Sequence, residues 1–224
     1  MLFLIKKKGI KKEFIISANI KMNIVELNNE IQEVRPKVKV SKKKAKEENI
    51  VLATEADLPK VLGELKPDDE LIQEILAHLA TFKVPQVSNG RGRSASFGTH
   101  RAMTLGMIRA RKTKEYGLSY NSKKHPELYE AIKKLGEKIV PFPFNAIHVN
   151  NNVVCPRHLD PYNSGASVIV SFGDYEGCDL VIEGCGTFNT NLKPLLFNGA
   201  KFYHYNTPLI SGNKYSFVFF TNSH

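Results

Sequence analysis

The sequence predicts an α+β fold in which two helices support a jelly roll or small barrel. Short β-prone runs separated by turn residues fill the chain from residue 142 onward, with no helical periodicity between them. Two helical patterns precede that segment. The apolar fraction is 42%, including 13 Phe and 8 Tyr, which is enough to bury a core, so the composition excludes wholesale disorder.

The chain divides into three predicted regions, with residues 51–224 expected to form one structural domain. These regions are a basic N-terminal arm, a stretch of helical support with a basic loop, and the jelly-roll core, over residues 1–50, 51–140 and 141–224. No apolar run is long enough for a transmembrane helix, so no membrane association is expected. Three cysteines without a CxxC pair favour a reducing compartment inside the cell, without distinguishing nucleus from cytoplasm.

Positive charge is concentrated in two blocks of the sequence. The net charge is +10; residues 1–50 hold 13 Lys/Arg against 6 Asp/Glu, and residues 91–124 hold 9 against 1. Basic blocks indicate a polyanion partner such as nucleic acid, and a solubilising surface is the alternative. The lysine runs that start at Lys6 and Lys42 fit nuclear-import signals or a solvated arm.

Two amphipathic helices are predicted ahead of the core. The first begins after Pro67 with acidic residues in its first turn, and apolar residues recur at helical spacing up to Phe82. The second begins at His125 and ends at Gly136 or a little later. Both are interpreted as core support. The Gly- and Ser-rich stretch over residues 88–98 is interpreted as a loop, and it lacks the GK[ST] ending of a phosphate-binding P-loop.

Six β runs are predicted in the core, each bounded by Asn, Ser, Asp or Gly turn residues. They are Ala146 to Val154, Ser167 to Phe172, Asp179 to Ile182, Leu195 to Phe197, Lys201 to Tyr205, and Tyr215 to Phe220.

His158, Asp160 and His204 are the candidate metal ligands. Residues i and i+2 of a strand project to the same face, so His158 and Asp160 are expected to point together into the barrel. Two His and one carboxylate, with the opposite face open, form the diagnostic set of non-haem Fe(II) oxygenases. A lone HxD also arises by chance, and packing or surface roles for the histidines are the alternative.

These residues resemble the 2-oxoglutarate and Fe(II)-dependent dioxygenases once Lys214 is added ten positions after His204, with Ser216 two further on. The resemblance spans roughly residues 142–221 and includes the hairpin over residues 171–180, which is similar to the family's GDxxGGxL pattern. It implies a double-stranded β-helix, which is a jelly roll. It also implies Fe(II) and 2-oxoglutarate as cofactors, O₂ as a partner, and catalytic ligation by the two histidines and Asp160.

The resemblance also implies a set of cosubstrate ligands. Lys214 would hold the distal carboxylate of 2-oxoglutarate, and Ser216 or Tyr215 would assist. Arg93 would be a second anion ligand, with a surface arginine that touches phosphate or nothing as the alternative. Most relatives use Arg in place of Lys214, and Arg grips a carboxylate with a planar fork where Lys offers one point charge. Cys178 replaces the usual second glycine of the hairpin and is interpreted as a small structural residue.

A narrower resemblance concerns His158, Asp160 and Asn163, which match the HxDxxN pattern of the TET and J-binding-protein group. That group oxidises thymine or 5-methylcytosine in nucleic acid, so the resemblance implies that Asn163 lies beside the target base. Capping of the turn after Pro161 is the alternative role for Asn163. Further substrate-binding candidates are Asn150, Asn152, Arg91 and Arg101.

Three functions stand open at this point. The first is hydroxylation of a nucleic-acid base, with DNA ahead of RNA as the partner. The second is a protein side-chain hydroxylase of the same superfamily, of the prolyl or lysyl type, since a basic surface also suits acidic peptides. The third is a jelly-roll binding module without catalysis. The sequence does not indicate an oligomeric state.

Overall fold

The computed structural model describes residues 54–87, 100–109 and 115–222. The basic arm with its lysine runs, and the loop that carries Arg91 and Arg93, lie outside the described residues. In the described part, a 3-10 turn at Glu55–Asp57 precedes the helices α1 (Glu70–Thr81), α2 (Tyr120–Lys124) and α3 (Pro126–Ile139). The described strands are β1 (Lys60–Val61), β2 (Gln86–Val87), β3 (His100–Arg109), β4 (Tyr116–Leu118), β5 (Ala146–Asn151), β6 (Ser167–Gly173), β7 (Glu176–Gly177), β8 (Leu180–Ile182), β9 (Gly186–Phe188), β10 (Leu195–Phe197), β11 (His204–Asn206), β12 (Leu209–Ser211) and β13 (Lys214–Phe220).

The strands form one large antiparallel sheet and two smaller ones. In the described residues the large sheet has the order β1-β10-β6-β13-β5-β3-β2, with β4 paired to β3. Strands β11-β8-β9 form a second sheet, and β12 pairs with β7. Long crossovers between neighbouring antiparallel strands are typical of the jelly roll. The α+β fold class with a jelly-roll core is therefore confirmed.

The central strand β13 separates two environments. Side chains alternate along a strand, so Phe217 and Phe219 project to one face while Lys214 and Ser216 project to the other. The two phenylalanines pack into a core cluster built largely from the apolar faces of α1 and α3. The helices therefore support the sheet, as predicted. None of the helices within residues 54–87, 100–109 and 115–222 combines the length and apolar character needed to cross a membrane.

Gly136 explains how closely α3 lies on the sheet. A Cβ at this position would come within 2.4 Å of the Phe144 ring and 2.6 Å of the Phe219 ring. The residue is buried inside the helix, which continues to Ile139, so this glycine permits close packing and is not the helix stop.

Strand β3 is the main departure from the predicted architecture. Helical support and a basic loop are predicted for the region 51–140, yet β3 pairs with β5 along six residues, from Arg101 opposite Asn151 to Gly106 opposite Ala146. Arginines at the two ends of the segment and a glycine within it conceal its β character in the sequence. The sheet consequently receives a long strand from outside the predicted core region.

Two strand boundaries differ from the predicted β runs by three residues. Strand β5 stops at Asn151 because Asn152 adopts φ 53°, which ends the extended conformation. Strand β11 begins at His204, three residues later than predicted, because the chain first makes a tight turn in which the N–H groups of Lys201 and Phe202 both donate to the Asn198 carbonyl.

Candidate metal centre and cosubstrate pocket

The side chains of His158, Asp160 and His204 converge. One ligand atom from each lies within 4.8 Å of the other two. His204 Nε2 is 3.6 Å from Asp160 Oδ2, and His158 Nε2 is 3.9 Å from Asp160 Oδ1. The backbones of the two histidines exchange a pair of 3.0 Å hydrogen bonds, which sets them directly opposite each other. The expected convergence is confirmed.

Both imidazoles present the same nitrogen to the centre. His158 Nδ1 lies 2.7 Å from the Pro156 carbonyl oxygen, and His204 Nδ1 lies 3.0 Å from that of Phe202. A carbonyl only accepts, so each Nδ1 carries the proton and donates it, which leaves a lone pair on each Nε2. The arrangement fixes the tautomer that a metal ion requires.

Gly199 forms the wall of the centre beside two of the three side chains. The Asp160 N–H donates to the Gly199 carbonyl at 2.8 Å, and a Cβ on Gly199 would lie 3.1 Å from His204 Cε1 and 3.2 Å from Asp160 Oδ2. The Phe197 ring meets the His204 imidazole edge-on, with 5.2 Å between ring centroids, and its Cε2 would lie 3.2 Å from the same added Cβ. The positions of Asp160 and His204 are therefore set by close contacts on several sides.

Replacing Gly199 by alanine is expected to weaken metal binding about 10- to 100-fold, the range for changes that displace ligands indirectly. The new methyl group must push the His204 ring or the Asp160 carboxylate aside. Metal titration by calorimetry or intrinsic fluorescence measures the effect. Gly117→Ala is the control, because no atom lies within 4 Å of its added Cβ. Equal affinity for both variants would contradict the prediction.

The loop that carries Gly199 is anchored by Asp57. Lys201 Nζ lies 2.6 Å from Asp57 Oδ2, and Asn198 Nδ2 donates to Asp57 Oδ1 at 2.8 Å. The Thr54 N–H and hydroxyl also donate to Oδ2, each at 2.8 Å. Burial alone would raise the pKa of Asp57, but these hydrogen bonds outweigh it and lower the pKa to about 2. The ionised carboxylate thus connects the first described turn to the wall of the metal centre.

Asp57 is expected to make stability acid-sensitive. Its folded-state pKa lies below the ordinary 3.8, so its contribution is present above about pH 4 and is lost as the pH falls towards 2. The shift corresponds to about 2 kcal/mol at neutral pH. Urea unfolding should therefore show Asp57→Asn less stable than the parent chain by about that amount at pH 7 and nearly equal at pH 2. The exposed Glu64→Gln should differ little at either pH; a pH-independent loss for Asp57→Asn would refute the linkage.

Arg157, between Pro156 and His158, forms its contacts with Glu183 and Tyr203. Its guanidinium pairs with both carboxylate oxygens of Glu183, with Nη2 to Oε2 at 2.7 Å. It also lies 3.5 Å from the centroid of the Tyr203 ring. Because Arg157 precedes His158 and Tyr203 precedes His204, this stacked pair ties together the outer sides of the two histidine segments.

Lys214 is buried inside the barrel. It is 3% exposed, its ammonium donates to the Cys178 carbonyl oxygen, and it lies 4.9 Å from the Tyr175 ring centroid. Within the residues that the structure describes, it forms no ion pair with a carboxylate. Burial lowers the pKa of Lys214, while Cys178 and Asp179 act in the opposite direction. An incoming carboxylate would stabilise the buried ammonium, so this pocket suits an anion.

Tyr175 adds a second donor to this pocket. Its hydroxyl is buried and makes no hydrogen bond with the residues that the structure describes. The hydroxyls of Ser171 and Thr190, which bond each other at 2.9 Å, lie beside it. Burial raises the pKa of Tyr175 to about 12, so the hydroxyl stays protonated at neutral pH. A buried donor without a partner is costly unless a ligand supplies the acceptor.

Cys155 lies near enough to Asp160 and Lys214 to interact electrostatically with both. Burial raises the pKa of the Cys155 thiol to about 12; the Asp160 carboxylate adds to this effect, and Lys214 opposes it. The thiol therefore senses both charges, and it is neutral at physiological pH. A neutral thiol is a poor metal ligand and a poor nucleophile, so Cys155 is not expected to take part in the chemistry.

The other residues expected to bind cosubstrate or substrate lie on two different faces of the large sheet. Ser216 and Asn150 are buried on the Lys214 face, and Asn150 Nδ2 donates to Ser216 Oγ at 3.3 Å. Tyr215 projects to the opposite face and packs against the helix-side core, so its expected role as a cosubstrate ligand is wrong. The Asn152 side chain accepts the Lys214 N–H at 2.6 Å, so it orients the start of β13.

Asn163 lies three residues after the candidate metal ligand Asp160 in the sequence. Its N–H donates to the Asp160 carbonyl at 3.1 Å, and its side-chain amide donates to Ser167 Oγ at 3.1 Å. Its backbone also forms an antiparallel bridge with Asn222. The backbone bond to Asp160 closes the turn after Pro161, and the contact with Ser167 fixes the orientation of the Asn163 amide. A role towards a base stays a prediction.

Arg101, a predicted substrate-binding residue, and Arg109, from the same basic block, lie near opposite ends of β3. Arg101 is half-buried and donates to the Val84 carbonyl at 2.9 Å, which gives it a structural role at one end of the strand. Arg109 is exposed at the other end. Arg91 and Arg93 lie outside the described residues, so their expected roles stay predictions.

Several residues around the site are not predicted by sequence reasoning. Tyr175 lies in the hairpin that carries the family resemblance, two residues from a glycine, so the hairpin pattern is the signal that points to it. Gly199 belongs to an Asn-Gly turn whose sequence indicates only a connection. Asp57 and Thr190 have no local signal, because their contacts arise between segments far apart in the chain.

Comparison with known proteins gives structural matches alone. No protein-family model matches the chain, and no curated protein matches it in sequence. A 2OG-Fe(II) oxygenase family oxidoreductase from Burkholderia pseudomallei aligns at 18% identity over 76% of this chain and 87% of that chain, with a TM-score of 0.52.

Two further solved structures align less closely. NgTET1 in complex with 5mC DNA aligns at 14% identity over 55% of this chain, with a TM-score of 0.45, and the alignment spans 61% of the NgTET1 chain. A prolyl hydroxylase from Trichoplax adhaerens, in complex with a hypoxia-inducible-factor peptide, aligns at 8% identity over 74% of this chain and 84% of that chain, with a TM-score of 0.49. The Burkholderia alignment shows the fold: the chain has the architecture of the 2OG-Fe(II) oxygenases, as the sequence resemblance implied.

Proposed function

We propose that this chain is an Fe(II)- and 2-oxoglutarate-dependent dioxygenase that hydroxylates a nucleic-acid base, with the methyl group of thymine or 5-methylcytosine in DNA as the substrate. The observation that carries the proposal is the pairing of two groups in one barrel. The side chains of His158, Asp160 and His204 converge, and the buried Lys214 ammonium has no carboxylate partner in the described residues. Asp160 and Lys214 both act on the pKa of the Cys155 thiol, so the two groups lie near each other.

His158, Asp160 and His204 would hold the metal. Two imidazole nitrogens and one carboxylate oxygen are the ligand types of the facial triad that binds non-haem Fe(II). The backbone carbonyls behind each Nδ1 keep both Nε2 lone pairs directed at the centre. With 2-oxoglutarate and O₂, the iron would supply oxidation of a C–H bond to an alcohol, with succinate and CO₂ as the other products.

Lys214 and Tyr175 would bind the distal carboxylate of 2-oxoglutarate. The ammonium and the phenol hydroxyl are both buried donors, and each gains an acceptor when a carboxylate enters. Ser216, on the same face of β13, would extend this donor row towards the middle of the barrel. Because the Cys155 thiol is neutral, it does not repel the negatively charged cosubstrate.

A nucleic-acid substrate is supported by charge and by the HxDxxN pattern. Residues 91–124 carry 9 Lys/Arg against 1 Asp/Glu, which favours contact with phosphates. The Asn163 backbone is bonded to Asp160 and its amide is oriented by Ser167, and we propose that this amide meets a base taken out of the stack. The Asn163→Ala substitution should then lower base oxidation more than it lowers succinate formation measured without nucleic acid.

Two measurements test this function. The full chain, loaded with Fe(II) under anaerobic conditions, should convert 2-oxoglutarate to succinate on admission of O₂, and metal-free protein should not. Mass spectrometry of nucleosides from DNA co-expressed with the chain should show an added oxygen on thymine or 5-methylcytosine. Apparent DNA affinity should fall with salt at a log–log slope of about −0.9 per duplex phosphate contact.

The outcomes separate the three candidate functions. Succinate formation together with a hydroxylated base supports the proposal. Succinate formation with hydroxylated prolyl or lysyl peptides and unmodified DNA would replace it by a protein hydroxylase. Binding of metal without any 2-oxoglutarate turnover would replace it by a non-catalytic jelly-roll module.

A further inference from the structure

Two exposed tyrosines lie at the corner where β3, β4 and α2 meet. Tyr116 is 41% exposed and Tyr120 is 73% exposed. Tyr116 stands opposite Arg109 in the β3–β4 pair, and Lys124 Nζ lies 6.0 Å from the Tyr120 ring centroid. Lys123 is also exposed on α2. These five residues are called the aromatic corner below.

The backbone under the aromatic corner is held firmly. The buried Ser119 donates its N–H to the Gly106 carbonyl at 2.9 Å, and its hydroxyl accepts the Ser122 N–H at 3.1 Å. Ser122 Oγ in turn accepts the Gly106 N–H at 2.8 Å. The start of α2, which carries Tyr120, is therefore fixed to Gly106 of β3, and a ligand that stacks on Tyr120 meets a preorganised surface.

A short series of contacts joins the corner end of β3 to the metal centre. The Met107 carbonyl accepts Asn222 Nδ2 at 3.3 Å, Asn222 forms a β-bridge with Asn163, and the Asn163 N–H donates to the Asp160 carbonyl. Arg101, at the other end of β3, is eight residues away from Arg109, roughly 27 Å along an extended strand. The aromatic corner therefore belongs to the Asp160 end of the barrel.

We infer that the aromatic corner binds an unpaired nucleic-acid strand and leads it to the metal centre, an inference that rests on the proposed function. Tyrosine rings stack on bases of any sequence once the bases are unpaired, and interleaved cations neutralise the adjoining phosphates. The corner offers three cations against one carboxylate, Glu115, in the described residues 109 and 115–124. A paired duplex shields its base faces, so two outward tyrosines favour a single strand.

The test compares single-stranded and duplex DNA of one sequence. Fluorescence anisotropy with a labelled 12-nucleotide strand and the full chain should show tighter binding of the single strand. Tyr116→Ala and Tyr120→Ala should each weaken single-strand binding roughly 5- to 150-fold, the range for loss of one base stack. Tyr120→Phe should retain affinity, because the ring survives. Ile210→Ala, which removes an exposed side chain on β12, is the matched control and should bind like the parent chain.

Salt dependence tests the cationic part of the same inference. Lys123→Ala combined with Lys124→Ala should lower the log–log salt slope by about 0.7 for each single-strand phosphate that the variant no longer neutralises. Unchanged affinity in both alanine variants of the tyrosines, or equal binding of duplex and single strand, would overturn the inference. Binding is measured without turnover, so tyrosine-dependent binding by a chain that forms no succinate would reject the oxygenase function and keep the aromatic corner.

Discussion

Asp160→Ala is expected to abolish both stable Fe(II) binding and 2-oxoglutarate turnover. Asp160 supplies the carboxylate of the three converging side chains, and its two oxygens face His204 Nε2 and His158 Nε2 at 3.6 and 3.9 Å. Removal leaves a divalent ion with two neutral imidazoles, which neither balances its charge nor completes the facial set. The backbone bond from residue 160 to the Gly199 carbonyl survives the substitution, so the fold should persist.

Three measurements test this prediction: the metal content of gel-filtered protein, the thermal unfolding temperature, and the rate of succinate formation. Glu130→Ala is the control, because this exposed carboxylate on α3 makes only a surface ion pair with Lys133. Asp160→Ala should unfold close to the parent temperature when both are metal-free, and should lose the stabilisation that Fe(II) gives the parent chain. Retention of Fe(II) by Asp160→Ala at the level of Glu130→Ala would place the metal elsewhere and end the oxygenase proposal.

Lys214→Met should separate cosubstrate binding from stability. Loss of a charge-assisted hydrogen bond to a carboxylate corresponds to about 1.5–3 kcal/mol, so KM for 2-oxoglutarate should rise about 10- to 150-fold. The free energy of unfolding should stay constant or increase, because a buried ammonium without a carboxylate partner in the described residues is replaced by an apolar side chain of similar length. Fe(II) content should be unchanged.

Two further variants sharpen the Lys214 test. Lys214→Arg should restore affinity only in part, because a planar guanidinium needs different room beside Tyr175. Lys193→Met, which removes an exposed lysine paired with Glu64, should leave KM and stability nearly as they are. A Lys214→Met variant with unchanged KM would show that the anion pocket is not the cosubstrate site, while the metal centre would stand.

Short-range patterns in the sequence predict the fold class, both supporting helices and part of the metal centre. Turn residues between β-prone runs predict the jelly roll, and helical spacing predicts both supporting helices. An i, i+2 pair on an extended segment must share a face, so His158 and Asp160 are expected together. His204 and Lys214 are identified through their spacing within a family pattern. The same period-two rule, applied to β13, already separates Ser216 from Tyr215, which the structure places on opposite faces.

The features that no local pattern predicts are those that arise from contacts between distant segments of the chain. Strand β3 joins the main sheet because β5 supplies its partner groups, and its own residues, with arginines at both ends, give a weak β pattern. Gly199 reaches the metal centre through the backbone of Asp160, and Asp57 holds the Gly199 loop from the far end of the described chain. The Tyr175 hydroxyl is a buried donor because the fold around the hairpin removes it from water. Local patterns determine which side chains share a face of a strand or helix, whereas long-range packing determines which faces come into contact. The metal centre and the Lys214 pocket are formed by such contacts between distant segments.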